Sequence, residues 1–298
     1  MENAMIELLG VDTQGQYRSA LSLLGRLAFE NASLHLAHFE PPIQTWVGPG
    51  FIASSDDLAN ALTQDHQLSE QLLEAAVDDA CGYGFVSRAS TAMTPVASGI
   101  MSLGDELNAD VIAIGSRSSG PLAAAFLGSV GRALAIGGNK SFLIGRGDVK
   151  KSGSVSVLFA TDHSRLSMRA LDWFIDHKPK GVSDVHLITA YNIDNLTNQG
   201  YFSELYEQAS EQGKTLREHL KSLSEEAVAK LRSHGFHADY SLVPGLINAG
   251  ISHSMKVQKA DLLVLAAQGH GFFERLVMGS VALHQVVAEP YPVLVIRP

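Results

Sequence analysis

The 298-residue chain has one cysteine, Cys81, no surplus of basic charge and no long apolar run. A lone thiol can form neither an internal disulfide nor a thiolate metal cluster. With 22 basic against 31 acidic residues the formal charge is −9. That balance argues against nucleic acid as a partner, because such binding rests on neutralising phosphates. No stretch approaches the ~18 uncharged residues that a membrane-spanning helix needs. The opening MENAMIELLGVD is acidic and turns at once into a strand-like run, without the basic region and cleavage pattern of a leader. Together these absences set the expectation of a soluble, cytoplasmic protein with no membrane partner.

What is present points to large packed cores. Apolar residues make up 46% of the chain, charged residues 18%, and 27 positions are glycine. Disordered, collagen-like and coiled-coil chains have other compositions. At roughly 100–200 residues per domain the length suits two domains. An internal repeat supports that count. Val11-Asp12 closes the apolar run MIELLGVD, and Thr161-Asp162 closes VSVLFATD, 150 residues later. Gly128-Ser129-Val130 recurs 151 residues on as Gly279-Ser280-Val281, and SFLIGR (141–146) as PVLVIR (292–297). The charged, glycine-flanked stretch GDVKKSG (147–153) has linker chemistry, which sets expected domains of 1–147 and 153–298.

Each half alternates strand and helix. Strand candidates in the first are MIELLGVD, 33–39, 85–91, 110–115 and 141–145; in the second they are SVSVLFATD, 184–191, 237–243, 261–267 and PVLVIR. Several are unbroken Val/Ile/Leu runs, as expected of strands buried on both faces. Helical periodicity fills Asp57–Ala80 and Glu204–His234, with Ser203 a candidate cap lacking a capping-box partner at Tyr206. This alternation predicts an α/β fold of two tandem, doubly wound parallel sheets. Ligands of such sheets lie at the carboxyl ends of strands where the winding reverses.

At the expected crevice of the second half stands AAQGHGFFERLVMGSVALHQVV, a glycine-bearing loop that leads into a helix opened by Gly279-Ser280. Glycines let main-chain N–H groups face an anion, and the helix N-terminus adds free donors and partial positive charge. Ser129 and Ser280 are expected to cap their helices, with phosphate contact as an added role.

These residues resemble the universal stress protein family, in its tandem, two-domain form. Its ATP-binding members carry Gly, two residues, Gly, nine residues, then Gly-Ser or Gly-Thr. The second half reads Ala266, Gly269, Gly279-Ser280, with Ala for the first Gly; the first half reads Gly115, Ser118, Gly128-Ser129, with Ser for the second. Ala266 is tolerable where φ is negative. Ser118 is costly where φ is positive, although Gly120 offers another route for the loop and Arg117 adds charge. The family's aspartate at the end of the first strand falls on Asp12 and Asp162, and its adenine-holding position at the end of the second strand on Phe39 and Tyr191. Val130 and Val281 match the valine after Gly-Ser. Val11, Thr161 and Leu265, at the neighbouring strand ends, and His270, in the loop, complete the expected site. The resemblance implies a Rossmann-like fold, similar to adenine-nucleotide α hydrolases, with sheet order 3-2-1-4-5 in each half. It also implies ATP or another adenine nucleotide as ligand, alone or with magnesium, and an intrachain pseudo-dimer joined antiparallel through SFLIGR and PVLVIR. A further homodimer is compatible with it.

Plainer readings stand beside these. Asp12 and Asp162 can cap helices while touching a ligand. His35 and His38, three apart on a strand, point to opposite faces and make a poor metal pair. His163 and His270 are read as solvated loop residues that could also reach the crevice, and Cys81 as a half-buried small hydrophobe. Gly213-Lys214-Thr215 looks like the end of a P-loop, but Gln208 stands where that motif needs glycine, and the periodicity places it inside a long helix. Segments 40–55, with Trp46, Phe51 and Ile52, and 192–202 are either lids or ordinary packing, and Phe272-Phe273 either packs the loop or crowds the phosphates. The leading function is a stress-linked regulatory module that binds an adenine nucleotide. The alternatives are a ligand-free interaction or scaffold protein of the same fold, or a slow ATP hydrolase. Against the last, the sequence offers no placed general base, no carboxylate pair for magnesium and no lysine beside the glycine loop.

Overall fold

The computed structural model describes residues 5–40, 55–116, 127–191, 201–267 and 278–298. The first half runs β1 (Ile6–Gly10), α1 (Tyr17–Leu27), β2 (Ser33–Glu40), α2 (Ser55–Cys81), β3 (Ser87–Met93), α3 (Val96–Glu106), β4 (Val111–Gly115), α4 (Ser129–Gly137) and β5 (Ser141–Gly145). The second runs β6 (Val155–Ala160), α5 (Arg165–Asp176), β7 (Val182–Tyr191), α6 (Tyr201–Glu211), α7 (Leu216–Ser233), β8 (His237–Pro244), α8 (Ile247–Gln258), β9 (Leu262–Ala266), α9 (Ser280–Ala288) and β10 (Val293–Ile296).

Within each half the strands pair in parallel, in the order 3-2-1-4-5, and β5 and β10 pair antiparallel, giving one sheet ordered β3-β2-β1-β4-β5-β10-β9-β6-β7-β8. The sequence pattern explains the placement. Central strands such as VIAIG, LLVLA and VLVI are buried almost throughout, whereas β3 and β8, at the two rims, consist mostly of half-buried and exposed residues. Helices α1, α2, α5 and α7 cover one face, and α3, α4, α8 and α9 the other. No described helix is long and apolar enough to cross a membrane.

The seam between halves is reciprocal. Arg146 donates to the carbonyls of Tyr291 and Val286, and Arg297 to those of Leu134, Ala135 and Lys140, so each closing arginine satisfies the end of the other half's last helix. On the opposite face Arg26 donates to the carbonyls of Gly153 and Ser154 and pairs with Asp261, which also receives Lys150 at 2.7 Å. Phe29 meets Trp173 edge-on at 6.1 Å between ring centres. The linker is thus held against both halves.

One predicted helix divides. The periodic run 204–234 breaks between α6 and α7, where Gly213 takes φ +66° and Thr215 caps α7 in a capping box with Glu218. Gly213-Lys214-Thr215 therefore forms an interhelical turn and capping residue, not helix interior, and Ser203 lies within α6. Cys81 is exposed at the end of α2 rather than half-buried.

Candidate functional site

In the second half β6 ends at Ala160, beside β7 and β9, at the place where the winding reverses. A cavity of about 230 Å³ opens there. Its floor and walls are Ala160, Thr161 and Asp162 from the end of β6, Ile188 and Ala190 from β7, Ile247 and Ile251 from α8, and Leu265 and Ala266 from β9. Gly279, Ser280, Val281 and Ala282 close the side at the start of α9, and Ser167 reaches in from α5. The apolar side chains face one another across a hollow large enough for a purine ring, and the polar atoms gather at the strand ends and at the helix N-terminus.

The local geometry follows from the residue types. Gly279 is the residue before α9, with φ −62° and ψ 151°, and its N–H donates to the Ala267 carbonyl at 2.8 Å. Gly128 stands likewise before α4, with φ −59°, and a Cβ built on it would meet nothing within 4 Å. Backbone conformation therefore does not demand glycine at either place. What glycine supplies is bare main chain beside the first turn of a helix, where N–H groups lack intrahelical partners. Ser129 and Ser280, expected as caps, are the first helical residues instead, and neither helix has a side-chain cap. Their hydroxyls are not committed to capping.

The aspartates brace the turns that lead into the helices, while the cap positions themselves fall on Gln16 and Ser164. Asp12 accepts the N–H groups of Gln14, Gln16 and Tyr17 at 2.8–3.1 Å, holding the whole turn into α1. Asp162 accepts Ser164 N–H at 3.0 Å, and Ser164 in turn caps α5 by accepting Ser167 N–H. That contact leaves Asp162 on the wall of the cavity.

His163 departs from the expected solvated residue. It is 8% exposed, with φ +59°. Its Nε2 lies 2.9 Å from Thr189 Oγ1 and 3.1 Å from Ser224 Oγ, and its N–H donates to Thr161 Oγ1. Thr161 Oγ1 lies 2.9 Å from Ser167 Oγ, so a buried polar chain runs from the cavity wall to α7. Burial lowers the His163 pKa to about 4, which keeps the ring neutral. His35 and His38 make separate contacts, with Ser90 Oγ and with the Val11 carbonyl.

Of the expected site residues, Thr161, Asp162, Leu265, Ala266, Gly279, Ser280 and Val281 converge on the cavity. Tyr191 does not line it: its ring packs with Leu205, Leu216 and Leu220, and its carbonyl accepts Gly245 N–H. Ala190 and Ile188 take the wall that the sequence assigned to Tyr191. Strand register explains the difference. Gly10 pairs with Ala37 and Ala160 with Ile188, so the repeat offset grows from 150 to 151 between the first and second strands of each half. Ala190, not Tyr191, is thus the counterpart of Phe39. Tracking the offset strand by strand would have found it. In the first half Val11, Asp12, Phe39, Gly115, Gly128, Ser129 and Val130 hold the equivalent strand ends and helix start. Ser118, Gly269 and His270 lie outside the described residues, as do Arg117, Gly120, Phe272-Phe273 and the segments 41–54 and 192–200.

Comparison with known proteins agrees with the repeat. The model of the universal stress protein family matches residues 8–144 and again residues 156–297. The chain is similar in fold to a universal stress protein from Archaeoglobus fulgidus DSM 4304, with 17% identity, a TM-score of 0.68, and coverage of 99% of this chain and 100% of that one. A functionally unknown protein from Pseudomonas aeruginosa PAO1 gives 17% identity and a TM-score of 0.60 over 99% of this chain and 93% of the other. No curated protein matches the chain significantly.

Proposed function

Because the chain belongs to the universal stress protein family through both of its halves, we propose that it is a cytoplasmic stress-response module that binds ATP or a related adenine nucleotide at the carboxyl ends of its strands. The observation that carries this reading is the cavity against Gly279-Ser280. Its apolar walls, among them Ile188, Ile251 and Leu265, suit a flat base, and the bare main chain at the start of α9 suits a phosphate. The residues present therefore fit the group. Asp162 stands on the same wall, at the end of β6, in reach of a sugar hydroxyl or of a magnesium ion carried by the phosphates.

Mass spectrometry of gently purified protein, followed by titration with ATP, tests the proposal. Retained adenine nucleotide, or saturable binding of added ATP, is the expected result. Protein that stays empty at millimolar ATP overturns it in favour of a ligand-free interaction module. Gly279→Val refines the test, because the backbone at φ −62° accepts valine while a side chain is added at a residue that lines the cavity. The variant is expected to keep its melting temperature within a few degrees and to lose nucleotide retention. Retention at the original level would remove the site from Gly279.

A further inference from the structure

The two crevices distribute side-chain volume in opposite ways at matching points of the sheet. Ala190 opens on the cavity of the second half, whereas its counterpart Phe39 is 6% exposed and packed among the apolar side chains of the first. The Phe39 ring lies so close to α3 that a Cβ on Gly99 would sit 2.5 Å from its Cδ1. At the matching Gly250 of α8, the nearest contacts are only the Ala190 and Val243 side chains, at 3.2–3.3 Å. The floor differs in the same sense. Ala160 lines the cavity, but a Cβ on Gly10 would lie 2.8 Å from Ile100 Cδ1 and 3.2 Å from Ile114 Cγ2, because those side chains have closed over it.

The opposite face of the first half is also closely packed at the end of β4. A Cβ at Gly115 would lie 2.0 Å from the Gln16 carbonyl oxygen, so the turn into α1 rests directly on the end of β4. In the second half α5 begins at Arg165, the counterpart of Gly15, and the same place at the end of β9 accepts the buried Ala266. On the face where the second half has its cavity, the base end of the first crevice is therefore filled by Phe39, Ile100 and Ile114.

We infer that the chain takes one purine nucleotide, in its second half, and that the Phe39/Ala190 difference selects the half that it enters. The inference rests on the nucleotide reading above and adds that the first half is a structural copy with a filled crevice. Close packing makes the discrimination strong, since a phenyl ring and a purine cannot share one hollow.

The experiment uses the full chain and ATP as the probe. Calorimetric titration gives the stoichiometry, and hydrogen exchange with and without ATP gives the location. One ATP per chain is expected, with slowed exchange at the ends of β6 and β9 and the start of α9, and none at the ends of β1 and β4. Ala190→Phe is expected to weaken binding roughly 100-fold, reproducing the first half's packing in the second. Two ATP per chain, or protection confined to the first half, overturns the inference and leaves the nucleotide reading standing. No binding at any ATP concentration overturns both. Should Ala190→Phe fail to fold, the exchange map of the unaltered chain still decides between the halves.

Discussion

The two halves share one sheet plan and differ in what each buries at equivalent positions. On β1 the first half places Glu7 between Met5 and Leu9, fully buried, with neither carboxylate oxygen hydrogen-bonded. The counterpart on β6 is Val157, an ordinary core residue. After the first strand the first half has exposed Thr13, where the second has buried His163. A duplicated fold can therefore carry opposite electrostatic liabilities: an acid that resists losing its proton in one copy, and a base that resists gaining one in the other.

The largest test of that contrast concerns Glu7. Burial pushes its carboxyl up to about 8 from 4.5. The folded state therefore holds the proton that the unfolded chain releases, and stability is greatest below pH 4.5. It declines as pH rises, and the full penalty is reached above about 8. Removing the titration with Glu7→Gln should stabilise the protein at pH 7 by about 3 kcal/mol and have little effect at pH 4. Urea unfolding at several pH values measures this difference. Equal stability of the two proteins at pH 7 would mean that Glu7 reaches water or a partner.

His163 should give the opposite slope. Its folded pKa, about 4, lies below the unfolded 6.5, so its stabilising share is present above pH 6.5 and is lost as pH falls toward 4. At pH 5 the loss amounts to about 2 kcal/mol. Hydrogen exchange resolved by half should show β6 and β7 weakening on acidification from pH 7 to 5, while β1 and β2 strengthen. Asparagine tolerates the left-handed backbone at this position. His163→Asn should therefore flatten the acid slope of the second half alone. An unchanged slope would assign it to another group.

How far the sequence revealed this molecule depends on whether a feature is local or a matter of register. The unbroken runs VIAIG, LLVLA and VLVI mark central strands, because only residues buried on both faces drop alternation. The repeat and the GS-helix starts brought seven of the expected residues to one cavity. The departures at Ala266 and Ser118 favoured the second half, but the side chain that differs at the base end was not legible. That depends on whether residue 190 or 191 aligns with residue 39, and the repeat gains one residue between β6 and β7. The break between α6 and α7 was hidden because apolar spacing continues across Gly213, whose φ of +66° is visible only in three dimensions. His163 appeared to be a loop residue. Its burial comes from Thr189 and Ser224, distant in the chain and brought together by α7.

The smallest test exchanges the residues that end β4 and β9. Gly115 and Ala266 occupy the same place in the repeat, but only Gly115 faces a main-chain oxygen at 2.0 Å from the added Cβ. That neighbour is backbone and cannot rotate away, so Gly115→Ala must displace the turn that Asp12 holds through Gln14, Gln16 and Tyr17. A cost of about 1–3 kcal/mol is expected from overpacking. Ala266→Gly removes a buried methyl and loosens a strand, for about 0.5–1 kcal/mol. Thermal melts of the two single variants therefore rank them, Gly115→Ala lower. If the order reverses, the turn into α1 yields where the packing says that it cannot.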